Sequence, residues 1–500
     1  MIHPLDLEVP LEKYFGFTTF RPGQKEVISN VLDEKDSLAI LPTGSGKSLC
    51  YQLPSLMKPG ITIVVSPLIS LMIDQVKQMK AQGMKRVAAL HSFLTTEERR
   101  FIFHNLRSLD LLYISPEMLL MPKMREALQN VKVSLFVVDE AHCISQWGHE
   151  FRTDYLKLGR ILEELADPPL LAVSATATPQ VQEDILFQLG RTKAQKLIYP
   201  MDKPNIQLSM SIRRNESEKL EFLKEYLSRQ QAPAMIYFSS RQTAEKVCYE
   251  LKEHNLGRIG FYHGGMEPVD RQLVQQQFMR NELDVICCTS AFGMGIDKPD
   301  IRLVIHYHLP PRIESFIQEI GRAGRDGREC TSLLLYSPGD DRLPRMFIES
   351  ELPSDHQVED FVYLASAYKK IPAIEECATL ELSESQYNFL KYQMESSKEA
   401  GVIDPQTLLT NMKRTKNRRE EKKQTHLQRM LEVLHTEGCR RNELYRHFQS
   451  HVQPPEYICC DKCDPSVFEV TYQEKQNRTT TMSWHERLQA LLLPGGFHDG

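Results

Sequence analysis

Long hydrophobic runs are absent from this sequence: no apolar stretch among its 500 residues approaches the roughly 20 needed to cross a bilayer. A membrane partner is therefore not expected. The first residues, Met1 to Phe15, carry acids and prolines where a secretory signal has a basic and then an apolar region. Internal repeats and low-complexity tracts are also missing, which argues against solenoids and disordered scaffolds. Positive charge is not in excess. The formal net charge is −5, so contact with nucleic acid must come from local basic patches and should be salt-sensitive. Tryptophan is scarce, with two in the chain. The eleven cysteines, an odd number in a long chain, read as reduced thiols of a cytosol rather than as a disulfide framework. A chain of this length exceeds what one hydrophobic core holds, and three or four units are expected.

The run Leu-Pro-Thr-Gly-Ser-Gly-Lys-Ser from Leu41 to Ser48 joins a strand-like segment, Ser37 to Leu41, to a helix-compatible one, Leu49 to Met57. A glycine-rich turn in that setting aims backbone N–H groups and the positive end of a helix at phosphates. Thr43, Gly44, Ser45 and Gly46 would form the cradle. Lys47 would reach the β- and γ-phosphates of ATP, and Ser48 would hold Mg²⁺. Leu41 stands where the usual pattern has its first glycine, so for the motif alone a glycine turn beside a chance Gly-Lys-Ser stays open. Downstream, Val133 to Val138 is a continuous apolar run, as in a strand buried on both faces of a parallel sheet, and it ends in Asp139-Glu140-Ala141-His142. At the C-terminal end of such a strand Asp139 can hold Mg²⁺ opposite the phosphate loop, and Glu140 can orient and deprotonate a water. Two solvated acids would explain either residue singly. With the phosphate loop upstream, ATP hydrolysis is the reading.

Short apolar strands alternate with helical stretches between residues 36 and 190: Ile61–Ser66, Leu111–Ile114, Phe136–Val138 and Leu170–Val173. A second set follows in Ala234–Phe238, Arg258–Tyr262, Val285–Cys288, Leu303–His306 and Ser332–Tyr336. The expected fold class is α/β, with two parallel-sheet lobes followed by a helical and cysteine-bearing region. The expected domains are an ATP-binding lobe over 1–200, a linker over 201–212 containing Lys203-Pro204-Asn205, a second lobe over 213–340, a helical region over 341–412, a cysteine-bearing subdomain over 413–466 and a tail over 467–500. The tail holds one amphipathic segment, Trp484 to Leu493. Within the helical region, Ala373–Leu380 and Ser383–Glu399 are broken near Glu381-Leu382, which fits a helix-turn-helix or a plain helical hairpin. The basic run Lys413 to Lys423, with Glu420 and Glu421 interleaved, reads first as a solvated helix face and second as a nucleic-acid backbone contact.

The second lobe carries its own chemistry in the run from Gln318 to Gly327, which sets Arg322 and Arg325 three apart, on one face if helical. Their fixed charge and planar donors suit a γ-phosphate whose charge redistributes during transfer. Delivered from the opposite lobe, they would make hydrolysis depend on closing the cleft; Gln318 is grouped with them as a catalytic candidate.

In this order the residues resemble the superfamily 2 helicases, and specifically the RecQ family of DNA helicases, over residues 12 to about 465. Phe15 to Gln24 is similar to the family's adenine-recognition motif, which implies stacking by Phe17, edge reading by Gln24 and assistance by Arg21. Phe17 stands where the family often has Tyr, so a hydroxyl contact is lost. Ser66 to Met72 and Ser115-Pro116-Glu117 match segments along the family's DNA path, and Ser174-Ala175-Thr176 matches the motif that couples hydrolysis to lobe movement. His142 to Arg152 is similar to the aromatic-rich loop that follows the family's DEAH box, which implies DNA sensing by His142, Gln146, Trp147, Phe151 and Arg152. Trp147 and Phe151 can stack on unpaired bases, and Arg152 can meet a phosphate. Tyr237 to Arg241, Tyr262 to Met266 and Thr289 to Pro299 match the second lobe, the last bringing Asp297 to the nucleotide site.

Cys439-Arg440-Arg441 and Cys459-Cys460-Asp461-Lys462-Cys463 resemble the family's zinc subdomain. Cys460 and Cys463 sit on a turn able to present two thiolates to one ion, and a tetrahedral structural site wants four ligands. The expected set is Cys439, Cys460, Cys463 and Cys459. His451 or His447 is the alternative to Cys459, which is directly adjacent to Cys460 rather than several residues before it. Free reduced cysteines in a degenerate site are the other reading.

The resemblance implies an ATP- and Mg²⁺-dependent motor that moves 3′ to 5′ on single-stranded DNA and opens tailed or forked duplexes in repair or recombination. The implied location is the bacterial cytosol or nucleoid, with single-strand-binding or repair proteins as partners. The stretch after Cys463 has no room for the winged helix and further helical domain that many RecQ proteins carry. The chain is thus similar to the short, RecS-like bacterial form; strand separation is expected to use another element, such as 372–403, with weak unwinding or a need for a partner. An RNA helicase shares the two-lobed engine. Outside that class, a nucleotide-gated module that remodels DNA complexes without opening strands stays open.

Overall fold

The computed structural model describes residues 6–145, 153–293, 298–399, 401, 404–449 and 451–473. The apolar runs form two all-parallel sheets, each buried on both faces by the helices of its crossovers. The first contains β1 Ser37–Ile40, β2 Ile61–Val65, β3 Val87–Leu90, β4 Leu111–Ile114, β5 Val133–Val138, β6 Leu170–Ser174 and β7 Gln195–Ile198, in the order β3-β4-β2-β5-β6-β1-β7. The second contains β8 Ile206–Ile212, β9 Ala234–Tyr237, β10 Ile259–Tyr262, β11 Val285–Cys288, β12 Leu303–His306 and β13 Cys330–Tyr336, in the order β10-β11-β9-β12-β13-β8.

Register places the chemistry. Strands β5, β6 and β1 are neighbours, with Ile40 level with Ser174 and Val138 level with Ala172. The residues that follow them emerge side by side: Asp139-Glu140 after β5, Ala175-Thr176 after β6 and the phosphate loop after β1. Strands about 4.8 Å apart put the loop and Asp139 about 10 Å from each other across β6, room for a phosphate and a cation.

The linker expected over 201–212 is not one. Ile206–Ile212 is an edge strand of the second sheet, in register with β13 from Ile206↔Cys330 to Ile212↔Tyr336. Two of its buried polar side chains bond inward: Ser209 Oγ donates to Ser332 O at 3.1 Å, and Gln207 pairs with Glu329.

After the second sheet and helix Arg342–Glu351, whose Ile348 joins the core of the lobes, helices Asp355–Tyr368 and Glu384–Glu399 and the 3₁₀ segment Ile374–Leu380 enclose a small core with Phe361, Leu390 and Met412. The boundary expected between 412 and 413 falls inside one helix, Pro405–His435, of 31 residues and so about 46 Å long. Asp404 caps it, accepting from Thr407 N at 2.8 Å. Leu408 and Met412 belong to the helical core, whereas Leu427, Met430, Val433 and Leu434 pack into the core shared with the second lobe. Between these two anchors the basic run meets acids: Lys413 pairs with Glu359, Lys416 with Asp355 and Lys423 with Glu351. These three lysines tie the helix to its neighbours through ion pairs at the surface. No helix among the described residues is long and apolar enough to cross a membrane.

Candidate nucleotide and zinc sites

The phosphate loop turns where glycine is needed. Gly44 and Gly46 have φ of +83° and +74°, in the left-handed region that L side chains rarely adopt. A Cβ on Gly46 would lie 2.7 Å from Gln24 Nε2. The helix Leu49–Met57 follows, with Ser48 as its N-cap and no side-chain cap bond from that hydroxyl.

Gln24 and Arg21, expected at the adenine, are attached to the loop itself. Buried Gln24 donates to Ser45 O at 2.8 Å and Gly46 O at 3.1 Å, and accepts from Arg21 N at 2.8 Å. Arg21 Nη1 donates to Gly44 O. The Phe17 ring stands open, 56% exposed.

On the opposite side, burial and then the Glu140 charge push the Asp139 carboxyl up to about 7, against the opposing pull of Lys47. Glu140 N donates to Asp139 Oδ1 at 2.9 Å. Glu140 itself has φ of +47°, a left-handed conformation costing a non-glycine residue about 1–2 kcal/mol. Its Oε2 lies 3.4 Å from His142 Nδ1, and that nitrogen is 2.9 Å from Ser174 Oγ. Ser174 Oγ is in turn 3.3 Å from both the N and the O of Thr176. His142 and Ser174 thus meet side chain to side chain beside Glu140, with Thr176 joined through its backbone, while Glu140 Oε2 and Thr176 Oγ1 are buried without a hydrogen-bond partner.

The second lobe supplies the remaining wall. Helix Ile313–Ile320 carries Gln318 and stops before Gly321, so Arg322 and Arg325 lie on the turns beyond it, not on one helix face. A Cβ on Gly321 would come within 2.8 Å of Thr43 Cβ, and one on Gly44 within 3.1 Å of Arg325 Cγ. The two lobes therefore touch at the phosphate loop, with Arg325 over Gly44. Arg322 is buried and donates through Nη1 to Gly293 O. Lys203, which sequence motifs do not single out, joins this group: Nζ donates to Gly321 O at 2.7 Å. Burial, then the neighbouring Arg325, bring its ammonium down to about 7. Gln146, Trp147, Phe151, Arg152 and Asp297 lie outside the described residues, as does the segment Trp484 to Leu493.

The lining fits a triphosphate. Thr43 Oγ1, Ser45 Oγ and Arg322 Nε are buried without a hydrogen-bond partner, a state that costs free energy until an acceptor or donor arrives. Ser48 and Asp139 each carry an oxygen that could hold Mg²⁺.

The cysteines also fit their ion. The sulfurs of Cys439, Cys459, Cys460 and Cys463 all lie within 4.8 Å of one another. Cys439 Sγ is 3.6 Å from Cys459 Sγ, and Cys460 Sγ 3.5 Å from Cys463 Sγ. Zn–S bonds of about 2.3 Å in a tetrahedron set sulfurs about 3.8 Å apart. Adjacent Cys459 and Cys460 reach one centre, and neither His447 nor His451 belongs to it.

Two parallel-sheet lobes, with a phosphate loop and an Asp-Glu strand end on one and an arginine turn on the other, define a helicase motor core. Residues 21–185 match the DEAD/DEAH box helicase model, 218–327 the helicase conserved C-terminal domain and 400–465 the RecQ zinc-binding model. The chain belongs to the RecQ family of ATP-dependent DNA helicases. It is 40% identical over 496 residues to the probable ATP-dependent DNA helicase RecS of Bacillus subtilis, covering 97% of this chain and 98% of that one. To the ATP-dependent DNA helicase RecQ of Haemophilus influenzae it is 40% identical over 352 residues, 70% of this chain and 56% of that one. The chain thus spans little more than half of that RecQ. The fold is shared with the Mycobacterium smegmatis helicase Lhr bound to single-stranded DNA and AMP-PNP, at a TM-score of 0.57 and 20% identity over 77% of this chain and 57% of that one.

Proposed function

We propose that the chain is an ATP-driven helicase that moves 3′ to 5′ on single-stranded DNA and opens tailed or forked duplexes in repair or recombination. The observation that carries this reading is the meeting of lobes at the phosphate loop, where Arg325 covers Gly44 and Gly321 abuts Thr43. A γ-phosphate held on that loop gains its arginines only while the lobes are together, so hydrolysis and release alternate with closing and opening.

Lys47 and the backbone of residues 43–48 hold the phosphates, and Phe17, Arg21 and Gln24 hold the adenine. Because Gln24 and Arg21 also grip the loop, base binding and loop shape are coupled. Ser48 and Asp139 would hold Mg²⁺, which would supply positive charge against the phosphate oxygens. Glu140 takes the proton of the attacking water, and Arg322 and Arg325, with Gln318 beside them, stabilise the charge that builds on the transferring group. His142 lies beside Glu140 and Ser174, and the chain runs on from it into residues 146–152, where Trp147 and Phe151 would stack on bases and Arg152 would meet a phosphate. Asp297 completes the nucleotide side from the second lobe. A bacterial cytosolic or nucleoid location, with single-strand-binding or repair proteins as partners, follows from the same reading.

The likeness to RecS over nearly the full length of both chains favours DNA over RNA. ATP turnover by the purified chain should rise at least about tenfold with single-stranded DNA and not with matched RNA. Equal stimulation by RNA would sink the DNA assignment. Trp147→Ala should keep basal turnover and lose most of the DNA stimulation; a variant stimulated like the wild type would remove that loop from the mechanism.

A further inference from the structure

The turn that carries the two arginines hangs on a segment of the chain far from it in sequence. Helix Ile313–Ile320 ends immediately before that turn, so carbonyl groups at its C-terminus need partners and favour a positive charge. Lys203 Nζ provides both, donating at 2.7 Å to Gly321 O and at 3.4 Å to Ala323 O, the two carbonyls that flank Arg322. Two residues on, Asn205 Nδ2 donates to Gly324 O at 2.9 Å and Arg328 O at 2.8 Å, flanking Arg325. The fit is close, since a Cβ on Gly324 would come within 2.3 Å of that Nδ2.

The same segment faces the cysteine centre on its other side. Buried Arg441 pairs with buried Asp202 and donates to Lys203 O at 3.0 Å and to Ile206 O. Leu208 N donates to Cys459 O at 3.2 Å, and Asp461 N donates to Leu208 O at 3.0 Å. Arg440 meets Asp461 through Nε at 2.6 Å and Nη2 at 2.9 Å. Stability alone does not account for the lysine. It is held close enough to Arg325, Arg21 and Lys47 to feel their charges, a gathering of cations that a bound triphosphate would offset.

We propose that Lys203 is a positioning residue for the arginine turn, and that segment 202–205 braces that turn against the zinc centre. This rests on the reading that Arg322 and Arg325 act on the γ-phosphate. Lys203 touches no reacting atom. It fixes the backbone on both sides of Arg322, and Arg441, two residues after Cys439, fixes the backbone of Lys203.

The test uses the full chain saturated with single-stranded DNA. Lys203→Ala should lower kcat for ATP about tenfold or more while KM for ATP stays within about twofold, because ground-state binding does not use the turn. Its preference for ADP–aluminium fluoride over ADP should fall by the same factor. Lys203→Arg, able to donate to both carbonyls, should recover kcat to within about threefold of the wild type. Zinc content and melting temperature are measured alongside. Should Lys203→Ala melt early, Lys203→Met keeps the apolar stem and removes only the donor. Wild-type kcat in the folded, zinc-loaded Ala or Met variant overturns the proposal, as does loss of kcat that Arg fails to restore. Arg322→Ala and Arg325→Ala run in parallel separate the two failures. If both keep wild-type kcat, the arginine reading itself falls. If they lose it and Lys203 variants do not, only the positioning role falls.

Discussion

Replacing Glu140 by Gln should leave ATP and DNA binding within about twofold of the wild type and slow ATP turnover by about 10²–10⁴-fold, the range of a lost general base. Gln keeps the length and shape of the side chain but cannot accept a proton at neutral pH. The backbone at this position already carries a φ of +47°, which a side chain of the same branching leaves as it is, so position 140 itself need not move. The substitution also removes the like charge that, after burial, raises Asp139. The Asp139 carboxyl is more basic folded than unfolded, so ionising it costs stability progressively as pH rises from its usual 3.8 to about 7. With Glu140 neutral that cost shrinks, and the variant should melt no lower than the wild type at pH 8. Steady-state turnover, fluorescent-nucleotide binding and melting curves decide the matter together. A variant that hydrolyses ATP within tenfold of the wild type would place the base elsewhere.

How much of this was legible in the sequence depends on what each residue faces. Strands β1, β2, β4, β5 and β6 are apolar throughout or nearly so because both faces of a parallel sheet are covered, and they are readable as runs. Strand β8 is not, since Ile206-Gln-Leu-Ser-Met-Ser-Ile212 alternates, and its buried Gln207 and Ser209 bond to β13 and the turn before it. Strand β7 is short and polar at the sheet edge, with only Leu197 of its four residues buried. The long helix Pro405–His435 is hidden by its Lys and Arg run, whose partners Asp355, Glu359 and Glu351 sit on two other helices. Phosphate-loop and Asp-Glu residues are set by local spacing and were therefore named one by one. Lys203 reads in the sequence as a linker residue because the carbonyls it bonds lie more than a hundred positions away. The placing of Arg322 and Arg325 beyond the helix end likewise depends on tertiary contacts, at Gly293 and Gly44.

Cys460→Ser should release the zinc, taking the chain from one ion to none, and should destabilise the second lobe by several kcal/mol. The size of the effect follows from where the turn sits. Strand β8 is the edge of its sheet, and its free side is covered by the cysteine turn, with Leu208 bonded to Cys459 O and Asp461 N. Met210 N also donates to Asp461 Oδ1 at 3.2 Å. Losing the ion frees this turn, exposes the backbone of β8 and strips Arg440 and Asp461, an almost fully buried pair, of their fixed geometry. Both partners of that pair remain in the variant, so the expected loss comes from the metal–sulfur bonds and from the exposed edge of β8. Cys439→Ser and Cys463→Ser should behave alike, and Cys459→Ser should too, because its sulfur lies in the same cluster. His447→Ala and His451→Ala should keep full zinc and the wild-type melting temperature. Metal analysis of each purified variant, with melting curves in the presence and absence of a chelator, provides the measurement. A Cys459→Ser protein that retains one zinc would show that three thiolates and a different fourth ligand suffice. A Cys460→Ser protein that melts like the wild type would show that β8 is held by its pairing with β13 alone.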